Sequence, residues 1–246
     1  MTNWHERDDF WETFAPFLFP EERWEITKEE VDQTLLLLDL ESGATILDLC
    51  CGQGRHSLEL THKGYRVTGV DRTSTYLHQA RQRAKQEGVK VEFVEGDMRQ
   101  FSRPEAFDAA LLMFTSFGYF EAHEDNLKVL QNVKKSLRDG GKILVEVMGK
   151  EILARIFLSR SWEERDGVFW LQDRKISHDW SKIENRWILI GKGKEYKIQF
   201  SHWIYSAAEL SNMLREASFG DVICYGDLSG KEYDNQARRL VCVGTK

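Results

Sequence analysis

Ile46-Leu47-Asp48-Leu49-Cys50-Cys51-Gly52-Gln53-Gly54-Arg55-His56 is the stretch on which the fold turns. A short apolar run that ends in a glycine-rich turn and continues into helix formers reads as a buried strand leading into a helix. Glycine reaches backbone conformations closed to other residues and lets a ligand approach the main chain. Taken alone, Gly52 and Gly54 are as readily an ordinary tight turn.

The same rhythm repeats outward from this stretch. Strands are expected at Thr45–Cys50, Tyr65–Asp71, Val89–Val94, Phe107–Met113 and Lys142–Val147, with helices at about 55–63, 74–87 and 123–138 between them. Strands alternating with helices of this length imply a parallel sheet covered on both faces. Ligands of such sheets bind beyond the carboxyl ends of the strands. Asp71 ends the second strand nineteen residues after Gly52, where an acid can accept hydrogen bonds from both ribose hydroxyls. It can equally cap the helix that follows. The third strand runs into Gly96-Asp97-Met98, where an acid and an apolar residue could receive an adenine amine and cover its ring; a plain loop aspartate is the alternative. The fourth strand runs into Phe114-Thr115-Ser116-Phe117-Gly118-Tyr119-Phe120, which would border a reacting centre.

In this order LDLCCGQGR, VTGVD, EGDM and FDAALLMFTSFGYF resemble the class I S-adenosylmethionine-dependent methyltransferases. The likeness covers residues 40–148 well and 206–246 less fully. It is strongest toward bacterial small-molecule enzymes with an antiparallel lid after the fifth strand. The resemblance implies an α/β, Rossmann-like seven-stranded sheet whose last strand is antiparallel, S-adenosylmethionine as cofactor, and in-line transfer to a small acceptor. It places Asp48, Cys51, Gly52, Gly54, Asp71, Arg72, Asp97, Met98 and Met113 at the cofactor. Ser57 stands where a nicotinamide fingerprint has its third glycine, which weakens a dehydrogenase reading. That oxidoreductase and a non-catalytic nucleoside-binding module are the two alternatives.

After residue 160 the period shifts toward two, with Gly191-Lys192-Gly193 as a hairpin turn. Five of the eight tryptophans fall between Trp162 and Trp203, and a three-stranded meander is expected. Its tryptophans would line an aromatic acceptor pocket or form the lid's own core. Thr27 with Glu30 reads as a capping box for a helix ending near Gly43, and Ser206 as the cap of a helix over 206–217. The tail, Asp221–Tyr225 and Arg239–Val243, would complete the main sheet. The division is therefore an aromatic cap over 1–40, a cofactor-binding domain over 41–160 and 205–246, and a lid over 161–204. Replacing the lid is expected to leave cofactor affinity within about tenfold.

With 41% hydrophobic residues the 246-residue chain can bury a full core. A net charge of −6 and no basic block speak against nucleic acid as partner. No apolar run is long enough for a membrane span, and the charged, aromatic start does not read as a signal peptide. The four cysteines show neither disulfide-framework nor zinc spacing, which suits the cytoplasm. No acid lies between Met113 and Phe120, so no metal is expected. Should the acceptor need to lose a proton, Tyr119, His123 and His202 are the candidate catalytic groups, with His178 and Tyr205 beside them. Oligomeric state is not legible.

Overall fold

The structure, a computed structural model, describes residues 3–246. A single 3-10 turn (Trp4–Glu6) leads into helices α1 (Asp8–Leu18), α2 (Glu21–Glu25) and α3 (Thr27–Leu38). Strand–helix alternation follows: β1 (Thr45–Leu49), α4 (Arg55–His62), β2 (Arg66–Asp71), α5 (Ser74–Glu87), β3 (Glu92–Glu95), β4 (Phe107–Leu112), α6 (His123–Ser136), β5 (Leu137–Val147) and α7 (Lys150–Ile156). Four further strands come next: β6 (Arg160–Arg165), β7 (Val168–Ser177), β8 (Lys182–Gly191) and β9 (Lys194–Trp203). The chain closes with α8 (Ala207–Glu216), β10 (Gly220–Tyr225) and β11 (Leu240–Thr245).

The large sheet has the order β10-β11-β5-β4-β1-β2-β3. Strands β1 to β5 pair in parallel, and β11 lies antiparallel to both β5 and β10. The expected seven-stranded sheet with its last strand reversed is therefore present. The order turns back at β1, between β2 and β4, and a crevice opens where the strands end. Central strands buried on both faces need unbroken apolar runs, and Ile46, Leu47, Ala109, Ala110 and Leu111 are at most 1% exposed.

Four local readings change. Helix α3 has no side-chain cap. The Thr27 hydroxyl donates to the Arg23 carbonyl at 2.8 Å instead, and Glu30 turns to Arg55 and His56. The helix ends at Leu38, where Asp39 takes φ 49°, not near Gly43. Ser206 and Glu209, by contrast, form a reciprocal capping box on α8. The small sheet has four strands, not three. Strand β6 is an edge strand of mostly exposed, charged residues, so it shows none of the alternation that betrays its neighbours. The cysteines also depart from expectation: Cys224 and Cys242 face each other across β10 and β11 and are disulfide-bonded. None of the described helices is long and apolar enough to cross a membrane.

The inward face of the small sheet packs on α1. Phe10, Phe14 and Phe17 form one core with Trp170, Leu189 and Ile198. The Phe14 ring stands edge-on to Trp187 at 5.1 Å, and Phe17 lies 5.4 Å from Trp170. Phe14 is fully buried whereas Trp162 is 68% exposed. Phe14→Ala is therefore expected to cost about 3–5 kcal/mol, and Trp162→Ala within about 0.5 kcal/mol of nothing. Urea unfolding of both variants checks this; equal costs would mean that α1 is not the sheet's core partner.

Candidate active site

A cavity of about 470 Å³ opens over the ends of β1, β2 and β4, beneath α1 and α2. Asp48, Cys51, Gly52, Asp71, Arg72, Asp97, Met98 and Met113 all line it, as does Tyr119. Gly54 does not. It takes φ 79° as the N-cap of α4, and a Cβ there would stand 2.9 Å from the Phe93 ring. Its glycine serves the packing of α4 onto β3 and α5.

At the β1–β2 end, one carboxylate organises the turn. Asp71 accepts from the Gly52 N–H at 2.8 Å and from the Thr73 N–H at 2.9 Å. Burial pushes its carboxyl above the ordinary value, against the pull of these two bonds. Asp71 lines the cavity and holds the turn after β2, but it is not the cap of α5, whose N-cap is Thr73 without a side-chain cap. Asp48 lies deeper and accepts from the Ser57 hydroxyl at 2.5 Å, a bond that a glycine at position 57 could not make. Cys50, between the two acids, has φ 65°, a left-handed conformation that costs a side-chain-bearing residue about 1–2 kcal/mol.

At the β3 end, Asp97 is already engaged. Arg99 donates to it from Nε at 3.1 Å and from its backbone N–H at 2.8 Å, and also reaches Glu6 at 3.0 Å. Burial opposes the Asp97 charge, but the Arg99 bonds outweigh it and hold the carboxyl below its usual range. His5, from the amino-terminal turn, lies here too, edge-on to Phe120 at 5.0 Å. Burial lowers its pKa and keeps it neutral.

The end near β4 was not foreseen. Phe114 and Thr115 take φ 56° and 57°, and Glu146 holds the kink by accepting the Phe114 N–H at 2.9 Å. The Phe114 ring is thereby presented to three guanidinium groups: Arg55 at 4.1 Å, Arg23 at 4.9 Å and Arg239 at 5.6 Å. Arg239 pairs with Glu146 at 3.2 Å, and Arg55 with Glu30. His56 Nε2 also lies 3.1 Å from the Glu30 carboxylate. Arg23 has no carboxylate partner among the described residues, and its pKa is lowered by burial and by the charges of Arg239 and Arg55. Arg55 is 8% exposed, and its Nη2 has no hydrogen-bond partner. Arg23, Arg55 and Arg239 thus line the cavity, while Glu30 and Glu146 pair with two of them from behind and Asp48 lies close enough for its charge to be felt by Arg55.

Residues 46–141 match a family model described as a methyltransferase domain. A putative methyltransferase, YqeM of Bacillus subtilis, is 27% identical over 79% of this chain and 81% of its own length. The dTDP-3-amino-3,4,6-trideoxy-alpha-D-glucopyranose N,N-dimethyltransferase of Streptomyces venezuelae is 29% identical over 50% of this chain and 51% of that protein. In fold, the chain is similar to the crystal structure of an S-adenosylmethionine-dependent methyltransferase from Clostridium acetobutylicum. The TM-score is 0.78, with 16% identity, covering 96% of this chain and 98% of that one. Residues 46–141 thus carry a methyltransferase domain, within a chain that has the fold of an S-adenosylmethionine-dependent methyltransferase.

Of the three catalytic candidates, only Tyr119 reaches this cavity. Burial, and next the neighbouring Cys50 and Asp71, push its phenol well above the ordinary value, so it stays protonated. His123 is half exposed on the surface, 3.6 Å from Glu216. His202 is 3.0 Å from the Trp203 carbonyl and borders a separate, smaller chamber under the lid. The thiols of Cys50 and Cys51 are both raised by burial and by nearby acids, which makes them poor nucleophiles. Arg55 and His56 stood within the deciding stretch without an assigned role. Glu146 had a signal, an acid inside an otherwise apolar strand. Arg23 and Arg239 had none, because only tertiary packing brings them to Phe114.

Removing one partner of a buried ion pair leaves an uncompensated charge, at about 3–5 kcal/mol. Glu30→Gln is expected to destabilise the methyltransferase by that amount at neutral pH. Burial would raise the Glu30 carboxyl, but His56 and Arg55 hold it below its ordinary value of 4.5. A depressed carboxyl contributes stability fully above the unfolded-state value and loses it as pH falls through the folded-state value. Urea midpoints of wild type and Glu30→Gln should converge as pH drops below about 4.5; a gap independent of pH would remove Glu30 from this role.

Proposed function

We propose that the cavity holds S-adenosylmethionine with its adenosine toward Asp71, Arg72, Asp97 and Met98. Its methionine portion then lies toward Gly52, Met113 and the arginines around Phe114. The observation that carries this reading is the polarity of one cavity: acids at the β2 and β3 ends, and at the other Arg23, which no carboxylate pairs among the described residues. The cofactor's ribose offers donors to the first, and its carboxylate an anion to the second. The unpartnered Arg55 Nη2 and a volume within the usual range for small-molecule sites fit that cargo. Asp97 has its carboxylate already bonded to Arg99, so its part in holding an adenine is shared with that arginine.

The bound cofactor supplies an electrophilic methyl group. The chain's own task is to orient an acceptor and keep water out, and orientation alone supplies up to about 7–11 kcal/mol in well-aligned systems. Tyr119 acts as a hydrogen-bond donor, not as a base, because its phenol keeps its proton. The acceptor is a small molecule that enters between the end of β4 and the small sheet. The net charge of −6 and the aromatic lining favour this over nucleic acid; methylation of an amino sugar by the Streptomyces relative, as its name states, agrees.

Residues 1–40, 161–204 and the remainder serve as cap, lid and cofactor-binding domain, with one revision. Trp11, Phe17 and Leu18 of the cap wall the same cavity as Glu163 and Trp170 of the lid. Cap and lid work as one body, so the lid is not dispensable for the cofactor. Replacing residues 162–204 by a short Gly/Ser linker is expected to weaken S-adenosylhomocysteine by more than about tenfold, or 1.4 kcal/mol. Asp71→Ala should weaken it by about 1.5–3 kcal/mol through loss of a charged acceptor. Calorimetry on folded proteins checks both; unchanged affinity in Asp71→Ala sinks the proposed orientation.

A further inference from the structure

The inward face of the small sheet packs on aromatic side chains, yet three adjacent positions on it are polar. Along β7 the inward residues are Val168, Trp170, Gln172, Arg174 and Ile176, and along β8 Ile183, Asn185, Trp187 and Leu189. Arg174 stands directly opposite Asn185, and Gln172 opposite Trp187. These four line a chamber of about 200 Å³ between the lid and the ends of β4 and β5, closed on its other side by Thr115 and Tyr205. Thr115 also lines the cofactor cavity, so the two spaces share a wall.

The chamber holds several buried donors that lack partners, with the neutral His202 imidazole also on its wall. Asn185 Nδ2, Trp187 Nε1 and the Tyr205 hydroxyl are buried without hydrogen-bond partners. Asn185 and Tyr205 are each only 6% exposed. Arg174 donates to the Leu158 carbonyl at 3.3 Å, to the Ser161 hydroxyl at 3.0 Å and to the Gln172 side chain. All three are neutral, and no carboxylate pairs with it among the described residues. A half-buried guanidinium without a counter-charge, beside three orphaned donors, is costly for a lid to carry. Apolar residues would pack there without that cost.

We propose that this chamber binds an anionic oxygen group of the methyl acceptor, a carboxylate or a phosphate. Arg174 is its counter-charge, and Asn185, Trp187 and Tyr205 are its hydrogen-bond donors. The acceptor's reactive end then points past Thr115 toward the cofactor cavity. The assignment of this ligand as the acceptor rests on the cofactor reading given above.

The test is ligand-detected NMR on the full chain, titrating benzoate and inorganic phosphate with and without saturating S-adenosylhomocysteine. Wild type is expected to bind one of the two probes, and the arm that binds tells carboxylate from phosphate. Asn185→Asp places a carboxylate opposite Arg174 from within the protein, so it should fold normally and weaken the probe at least tenfold. Arg174→Gln should weaken it equally, with S-adenosylhomocysteine affinity unchanged within threefold in both variants. No probe binding to a wild type that binds S-adenosylhomocysteine overturns the chamber assignment alone. So does probe affinity that is the same in wild type and Asn185→Asp. Failure of S-adenosylhomocysteine itself to bind overturns the cofactor reading, and with it the identity of the ligand as a methyl acceptor.

Discussion

The insertion of α1 between the small sheet and the cofactor cavity is the contact on which the rest of the molecule depends. One face of this helix buries Phe10, Phe14 and Phe17 against the lid; the other offers Trp11, Phe17 and Leu18 to the cavity. An isolated antiparallel sheet has no core of its own until something covers its apolar face, and α1 is that cover. The helix is also fastened to the end of β2. The Tyr76 hydroxyl donates to the Trp11 carbonyl at 2.5 Å, and Arg72 pairs with Asp8 at 3.1 Å. Arg72 follows Asp71 directly, so the residue pair that shapes the cofactor turn also anchors the roof above it. Lid position, roof position and cofactor geometry are therefore linked through one helix.

Three strained backbone positions border this same cavity. Cys50, Phe114 and Thr115 all sit at positive φ at the ends of the two central strands, at about 1–2 kcal/mol each. Strain of this kind persists only where surrounding structure over-determines it. At β4 the determinant is visible: Glu146 takes the Phe114 N–H with one carboxylate oxygen and Arg239 with the other. The kink turns the Phe114 ring toward the arginines and places Thr115, whose hydroxyl accepts from the Met148 N–H at 3.2 Å, at the border of both spaces. One distortion thus builds a wall of each of the two spaces.

Much of this architecture was legible from residue order alone. The alternation of apolar strands with helical stretches pointed to the parallel sheet, and Gly52 with the acids at successive strand ends located the cavity, while Gly54 lies outside it. What escaped reading did so for identifiable reasons. Strand β6 is an exposed edge with no alternation. The Thr27–Glu30 spacing imitates a capping box, but a buried ion pair with Arg55 outcompetes the cap. His123 and His202 were plausible by position in the chain; one faces outward toward Glu216 and the other lies in the lid chamber. The arginine cluster joins α2, α4 and the approach to β11, segments whose proximity no local pattern encodes. Cys224 and Cys242 pair because β10 and β11 happen to register them, not because of their spacing.

The inward polar positions of the lid show how a sequence pattern can be right in period and still carry information in its exceptions. Alternation along β7 predicts that Gln172 and Arg174 point the same way as Trp170, and the register with β8 bears this out. Taken as a strand that needs only to be half-buried, β7 has no use for an arginine on its apolar face, since its long stem would pack as well without the charge. The charge makes sense only if something on that face supplies the opposite one, and no carboxylate of the described chain does. Evolution tolerates such a conflict between local pattern and packing chiefly where a ligand resolves it. The shared Thr115 then gives the lid a definite task. It sets how far the anionic end of the acceptor stands from the cofactor, and through that distance which atom of the acceptor is presented for methylation.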